Sequence, residues 1–145
     1  MEGRSPAQVY ALVFGVVLVA AGVLGFLYES SFSTGDDVYP ENVDKVLDIL
    51  DVNGWHNVVH IATGALGLAV AGSYANARLY ALGLGAVYIA LGIIGLLMDN
   101  PDLLLDIVPL NDEDNVLHLL IGVSGVGAGL ATPATPAPST AAPSS

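Results

Sequence analysis

Two stretches hold the side chains able to do chemistry. Asn53-Gly-Trp-His-Asn-Val-Val-His60 carries His56 and His60, and Asn111-Asp-Glu-Asp-Asn-Val-Leu-His118, 58 residues further on (53 to 111), carries Asp114 and His118. Each pair is spaced by four, which puts both members on one face of a helix. Three imidazoles and one carboxylate suit Zn²⁺ in a closed tetrahedral arrangement, or Cu, Ni or Fe. A haem would need His56 or His60 opposite His118. The competing reading is structural: Asn53, Asn57, Asn111 and Asn115 make polar contacts between helices, and the His and Asp groups tie the helix starts together. That reading ranks first, because His-x-x-x-His also arises where nothing binds. No nucleophile and base pair is legible, and with no general base outside the acidic loop hydrolysis is not indicated, so no catalysis is assigned.

The elements that carry these stretches are apolar. The chain has 145 residues, 54% hydrophobic and 12% charged, with a mean hydropathy of +0.68. Soluble domains carry about 25% charged residues. Four apolar runs stand out, Val9–Leu27, Trp55–Gly72, Leu79–Met98 and Val116–Ala131, and none contains Lys or Arg. A span takes about 17–25 residues; the last run is the shortest. The expectation is an all-α, four-span integral membrane bundle over residues 1–131, followed by a disordered Pro/Ala/Ser/Thr tail over 132–145.

The runs are related in pairs. Tyr10-Ala-Leu, Gly15, Gly22 and Gly25 match Tyr80-Ala-Leu, Gly85, Gly92 and Gly95 at an offset of 70. Asn53, Asn57, His60, Gly64 and Gly67 match Asn111, Asn115, His118, Gly122 and Gly125 at 58. This predicts two helical-hairpin repeats, about 5–72 and 75–131, entering the membrane in the same direction. Their glycines, Gly22, Gly25, Gly64, Gly67, Gly92, Gly95, Gly122 and Gly125, are expected to pack helix on helix. The recurrence also argues that the first run is a mature helix rather than a cleaved signal.

Arg4 and Arg78 precede the first and third runs, against Lys45 alone on the other side, which places both termini in the cytoplasm. If Trp55 marks the lipid boundary, His60 lies about 7 Å deep. In the long outer loop, Val43, Val46, Leu47 and Leu50 recur at helical spacing opposite Glu41, Asp44, Asp48 and Asp51, predicting a short amphipathic outer helix. Asp102–Val108 reads as its shorter counterpart. Asp112-Glu113-Asp114 reads as a solvated helix start. Tyr28, Tyr39 and Trp55 read as interface anchors.

The formal net charge is −11, with three basic residues. Nucleic acid is thereby disfavoured as a partner; the lipid bilayer is the partner that composition dictates, with a second copy or another membrane protein as the protein partner. The dense acidity points to a halophilic prokaryote. With no Cys there is no thiol or iron–sulfur chemistry. Proton transport is disfavoured, because the inner halves of the spans offer only Tyr10, Tyr80 and Ser124 and a relay needs stations through the whole thickness.

His56-Asn-Val-Val-His60, Asn111-x-x-Asp114-Asn-Val-Leu-His118 and the start of the third run, Arg78-x-Tyr80-Ala-Leu with Gly85 and Tyr88, resemble the DUF4383 family. The similarity runs from about Arg4 to Gly129. It implies a small four-helix prokaryotic membrane protein and implies no activity. The acidic outer loop and the Pro/Ser tail depart from the family and concern the surface. The function expected is a structural or interaction role in the cell membrane; the alternative is a metal- or haem-binding protein with its site at the outer ends of the second and fourth helices.

Overall fold

A computed structural model describes residues 3–98 and 102–135. Four helices carry it: α1 (Pro6–Gly25), α2 (Gly54–Val70), α3 (Tyr74–Leu97) and α4 (Asp112–Ala131). Each begins at a side chain that captures a free helical N–H. Ser5 and Gln8 form a reciprocal capping box at α1, and Asn53, Ser73 and Asn111 accept from the N–H three residues on at the other three. Among the described residues, α1, α3 and α4 are long and apolar enough to cross a membrane. At 17 residues, α2 spans only about 26 Å, short of the roughly 30 Å hydrocarbon core of a bilayer.

The interior is made of small residues and the exterior of large ones, the inverse of a water-soluble core. Ala7, Tyr10, Ala11, Ala71, Ala77, Tyr80 and Ala81 form the buried cluster, while Val16, Leu24, Val87, Ile93 and Leu120 point outward. In lipid, helix association comes from close packing rather than from apolar burial, so small residues belong inside. α1 packs on α2 and α3 on α4. A Cβ at any of Gly22, Gly25, Gly64, Gly67, Gly92, Gly95, Gly122 or Gly125 would fall within 3.0 Å of a neighbouring helix. Gly25 and Gly95 are the tightest, each lying directly against the side-chain amide of Asn57 or Asn115.

Hydrogen bonds set the direction of the two helical pairs. Thr132 Oγ1 accepts from Ala7 N–H, and Thr132 O accepts from Arg78 Nε. The starts of α1 and α3 therefore meet the end of α4 at one end of the bundle. Tyr10 donates to Ile121 O and Tyr80 to Thr63 O, both at 3.1 Å, lacing α1 to α4 and α3 to α2.

The outer loops correct the expected amphipathic helix. Asp44–Val46 (β1) and Leu50–Val52 (β2) pair antiparallel, and so do Asp102–Leu104 (β3) and Val108–Leu110 (β4). In the first turn Leu47 and Asp48 have φ of 57° and 59°, and in the second Leu105 and Asp106 have 55° and 60°. The turns are closed by Ile49 N–H to Val46 O and by Ile107 N–H to Leu104 O. Two consecutive positive φ values reverse a hairpin tightly and are incompatible with a helix. The predicted faces change accordingly: Leu47 is 73% exposed, whereas Asp51, placed on the solvent face of a helix, is 2% exposed. The β1–β2 and β3–β4 hairpins lie side by side at the α2/α4 end of the bundle, where Gly35 N–H also donates to Asp106 O.

The first residues of the expected tail make ordered contacts. Thr132 is fully buried and caps α4 by donating to Ala128 O, and Pro133 O accepts from the Tyr74 hydroxyl. Both belong to the folded unit. Positions 136–145 of the expected tail lie outside the described residues.

Candidate metal centre

Asn53 and Asn111 position the site. Each caps its own helix through Oδ1, to His56 N–H at 3.0 Å and to Asp114 N–H at 2.8 Å. Each also donates through Nδ2, at 2.7 Å, to a hairpin carbonyl of the other half: Asn53 to Ile107 O and Asn111 to Ile49 O. α2 is thus pinned to β3–β4, and α4 to β1–β2. Asn57 and Asn115 lie one turn deeper. Asn57 Nδ2 donates to Glu29 O at 2.8 Å, tying α2 to the segment after α1. Asn115 is fully buried against Gly95.

With the helix starts fixed in this way, His56, His60 and His118 converge. One ring nitrogen from each lies within 4.8 Å of the others. The His56 and His60 rings are 4.4 Å apart between centroids, and His118 is 6.3 Å and 6.5 Å from them. His56 and His118 are 3% and 6% exposed, and His60 is half-buried. His56 Nδ1 lies 2.9 Å from Asp51 O. Since a carbonyl only accepts, that contact places the proton on Nδ1 and leaves the Nε2 lone pair free. Among the described residues, His56 Nε2 and His118 Nδ1 are buried without a hydrogen-bond partner. Two orphaned ring nitrogens beside a third imidazole are costly for a fold and useful for a ligand.

Asp114 does not join the imidazoles. Its Oδ2 accepts from Asp51 N–H at 3.1 Å, so α4 is tied to β2, and the residue is 4% exposed rather than part of a solvated helix start. Asp51 is the hub of this outer layer. Its carboxylate meets Lys45 Nζ at 2.7 Å, directly across the hairpin, and accepts from the Tyr39 hydroxyl at 2.9 Å. The Asp51 carboxylate holds the Lys45 ammonium above the ordinary lysine value, against a smaller opposing effect of burial. Asp51 therefore neutralises its charge on Lys45 and supports His56 through its backbone.

Sequence reasoning missed Asp51 and Lys45 as partners, and Tyr88 as a neighbour of His118. Tyr88 packs edge-on against the His118 ring, with centroids 5.0 Å apart. A cavity of about 170 Å³ opens beside the three imidazoles, with Tyr88 in its wall and β3–β4 across its mouth. The available signal is Leu105-Asp106-Ile107, which repeats Leu47-Asp48-Ile49 ahead of the Asn111 motif and fits a two-residue turn better than the helix expected over Asp102–Val108.

The fold and site define a small helical membrane protein with a buried histidine cluster beneath paired outer hairpins. The family described as Domain of unknown function (DUF4383) matches residues 8–131, and the chain belongs to it. No curated protein and no solved structure matches the chain.

Proposed function

We propose that this membrane protein binds a transition-metal ion through His56, His60 and His118. The observations that carry the reading are the convergence of one ring nitrogen from each histidine within 4.8 Å and, among the described residues, the burial of His56 Nε2 and His118 Nδ1 without a hydrogen-bond partner. Ligand nitrogens around a zinc-sized ion sit about 2.0–2.1 Å from it, so binding would draw the three rings inward on the ion. The contact from His56 Nδ1 to Asp51 O is the outer hydrogen bond that commonly orients a metal-binding imidazole. Asp114 is left out of this ligand set, because its carboxylate is committed to Asp51 N–H. Haem is disfavoured: about 170 Å³ falls below the roughly 300 Å³ at which ordinary small-molecule pockets begin.

The asparagines keep the structural role. The reciprocal bonds of Asn53 and Asn111 support a chain built from two copies of one helical hairpin, entering from the same side. Arg4 and Arg78 at the end away from the hairpins support cytoplasmic termini and an outward-facing site.

The test is elemental analysis of purified protein after loading with zinc, copper, cobalt or nickel and removal of excess. Wild type should retain one ion per chain, and the His60→Ala/His118→Ala double variant should retain none. Wild type that holds no stoichiometric ion of any of the four overturns the reading.

A further inference from the structure

We propose that the open coordination position of the His56/His60/His118 ion faces a largely aliphatic chamber and is taken by a small uncharged ligand of diatomic size, with monovalent copper as the ion that presents it. This inference rests on the metal-binding reading above. Three protein ligands leave one position open on a four-coordinate ion. The cavity beside the imidazoles, about 170 Å³, is where that position can open. Apart from the histidines and Tyr88, its walls are aliphatic, with Leu91 from α3 and Leu104, Ile107 and Val108 from β3–β4. Among the described residues no charged side chain lines it.

Two physical consequences follow from that lining. Aliphatic cavity walls accept small apolar molecules. An anion entering here would lose its hydration against a lining that, among the described residues, offers no charged side chain to replace it. The ion itself is held by three neutral donors, with Asp114 turned to Asp51 and Asp51 paired with Lys45. The cost of burying an ion grows with the square of its charge, so a neutral ligand set in an apolar wall favours a monovalent over a divalent ion. Imidazole is an accepted ligand for copper. A buried monovalent ion with one position open on an aliphatic chamber selects a neutral ligand over an anionic one.

The full chain, reconstituted in lipid nanodiscs, is loaded with Cu(I) under anaerobic conditions. Its copper content is measured, and carbon monoxide is added as the probe under infrared observation. Wild type is expected to hold one copper per chain and to show a single narrow C–O stretching band. Val108→Phe, which fills the chamber, should keep its copper and bind carbon monoxide about tenfold or more weakly; Leu91→Phe, from the opposite wall, provides the same reading if the first variant does not fold. Stoichiometric copper without a C–O band, or azide binding to the copper form that carbon monoxide cannot displace, overturns this inference and leaves the metal site standing. Retention of zinc but not Cu(I) overturns it in the same way. Retention of no metal at all removes both.

Discussion

Asn53 and Asn111 each use both ends of one amide, the oxygen on their own helix start and the nitrogen on the opposite hairpin. Replacing an asparagine cap by alanine costs about 1 kcal/mol, and the second bond leaves a hairpin carbonyl unpaired. Asn53→Ala and Asn111→Ala should each lower unfolding stability by roughly 1.5–3 kcal/mol. Denaturant titration in detergent checks this; a loss confined to one of the two would break the reciprocity. Lys45 gives a pH signature. Its pKa is raised by Asp51, so the proton is held more tightly folded than unfolded. The pair's contribution is present in full below the ordinary lysine value and is lost as pH rises through the raised value. Between about pH 9 and pH 12 the melting advantage of wild type over Lys45→Met should therefore shrink. An advantage that stays level across that range means the pair is uncoupled from folding.

The hairpins place leucine and aspartate where glycine or asparagine would normally turn the chain. A left-handed conformation costs an ordinary residue about 1–2 kcal/mol, and Leu105 holds it with an 80% exposed side chain that packs little in return. Glycine removes the steric penalty but loses more entropy on folding. Leu105→Gly should therefore gain roughly 0.5–1 kcal/mol in the same titration. A loss would show that lipid or detergent at the tip holds the leucine in place. Helix pairing makes the opposite demand on glycine. Gly95→Ala drives a methyl onto the Asn115 amide and should cost about 1–3 kcal/mol, read as reduced resistance to unfolding in SDS.

For the molecule as a whole, the formal charge of −11 gathers in the long loop after α1, in the segment between α3 and α4, and in the first turn of α4. The Debye length falls from about 10 Å at 0.1 M salt to about 3 Å at 1 M. Screening relieves repulsion among these carboxylates, so the melting temperature should rise from about 0.1 M to about 1 M KCl, and more than it does in sucrose of matched osmolality. A flat or falling curve would make the acidity ordinary loop solvation. Salt should leave metal content unchanged, since the imidazoles lie beneath the hairpins.

Helix positions and the paired motifs were readable along the chain because each depends on neighbours within a few residues. Apolar runs need local hydropathy, and the Asn53 and Asn111 starts need only the next turn. The four-residue spacing of His56 and His60 placed them on one face, but spacing cannot say what stands across from that face. Val43, Val46, Leu47 and Leu50 fit a helical period, yet the chain turns back at Leu47 and Asp48, and Asn111, 62 residues beyond Ile49, adds a bond to that hairpin which no local pattern announces. The same holds for Asp114, whose proper spacing from His118 counts for less than the Asp51 N–H that reaches it across the bundle. Local periodicity determines which side of an element turns inward; the contacts between distant elements decide which inward groups meet.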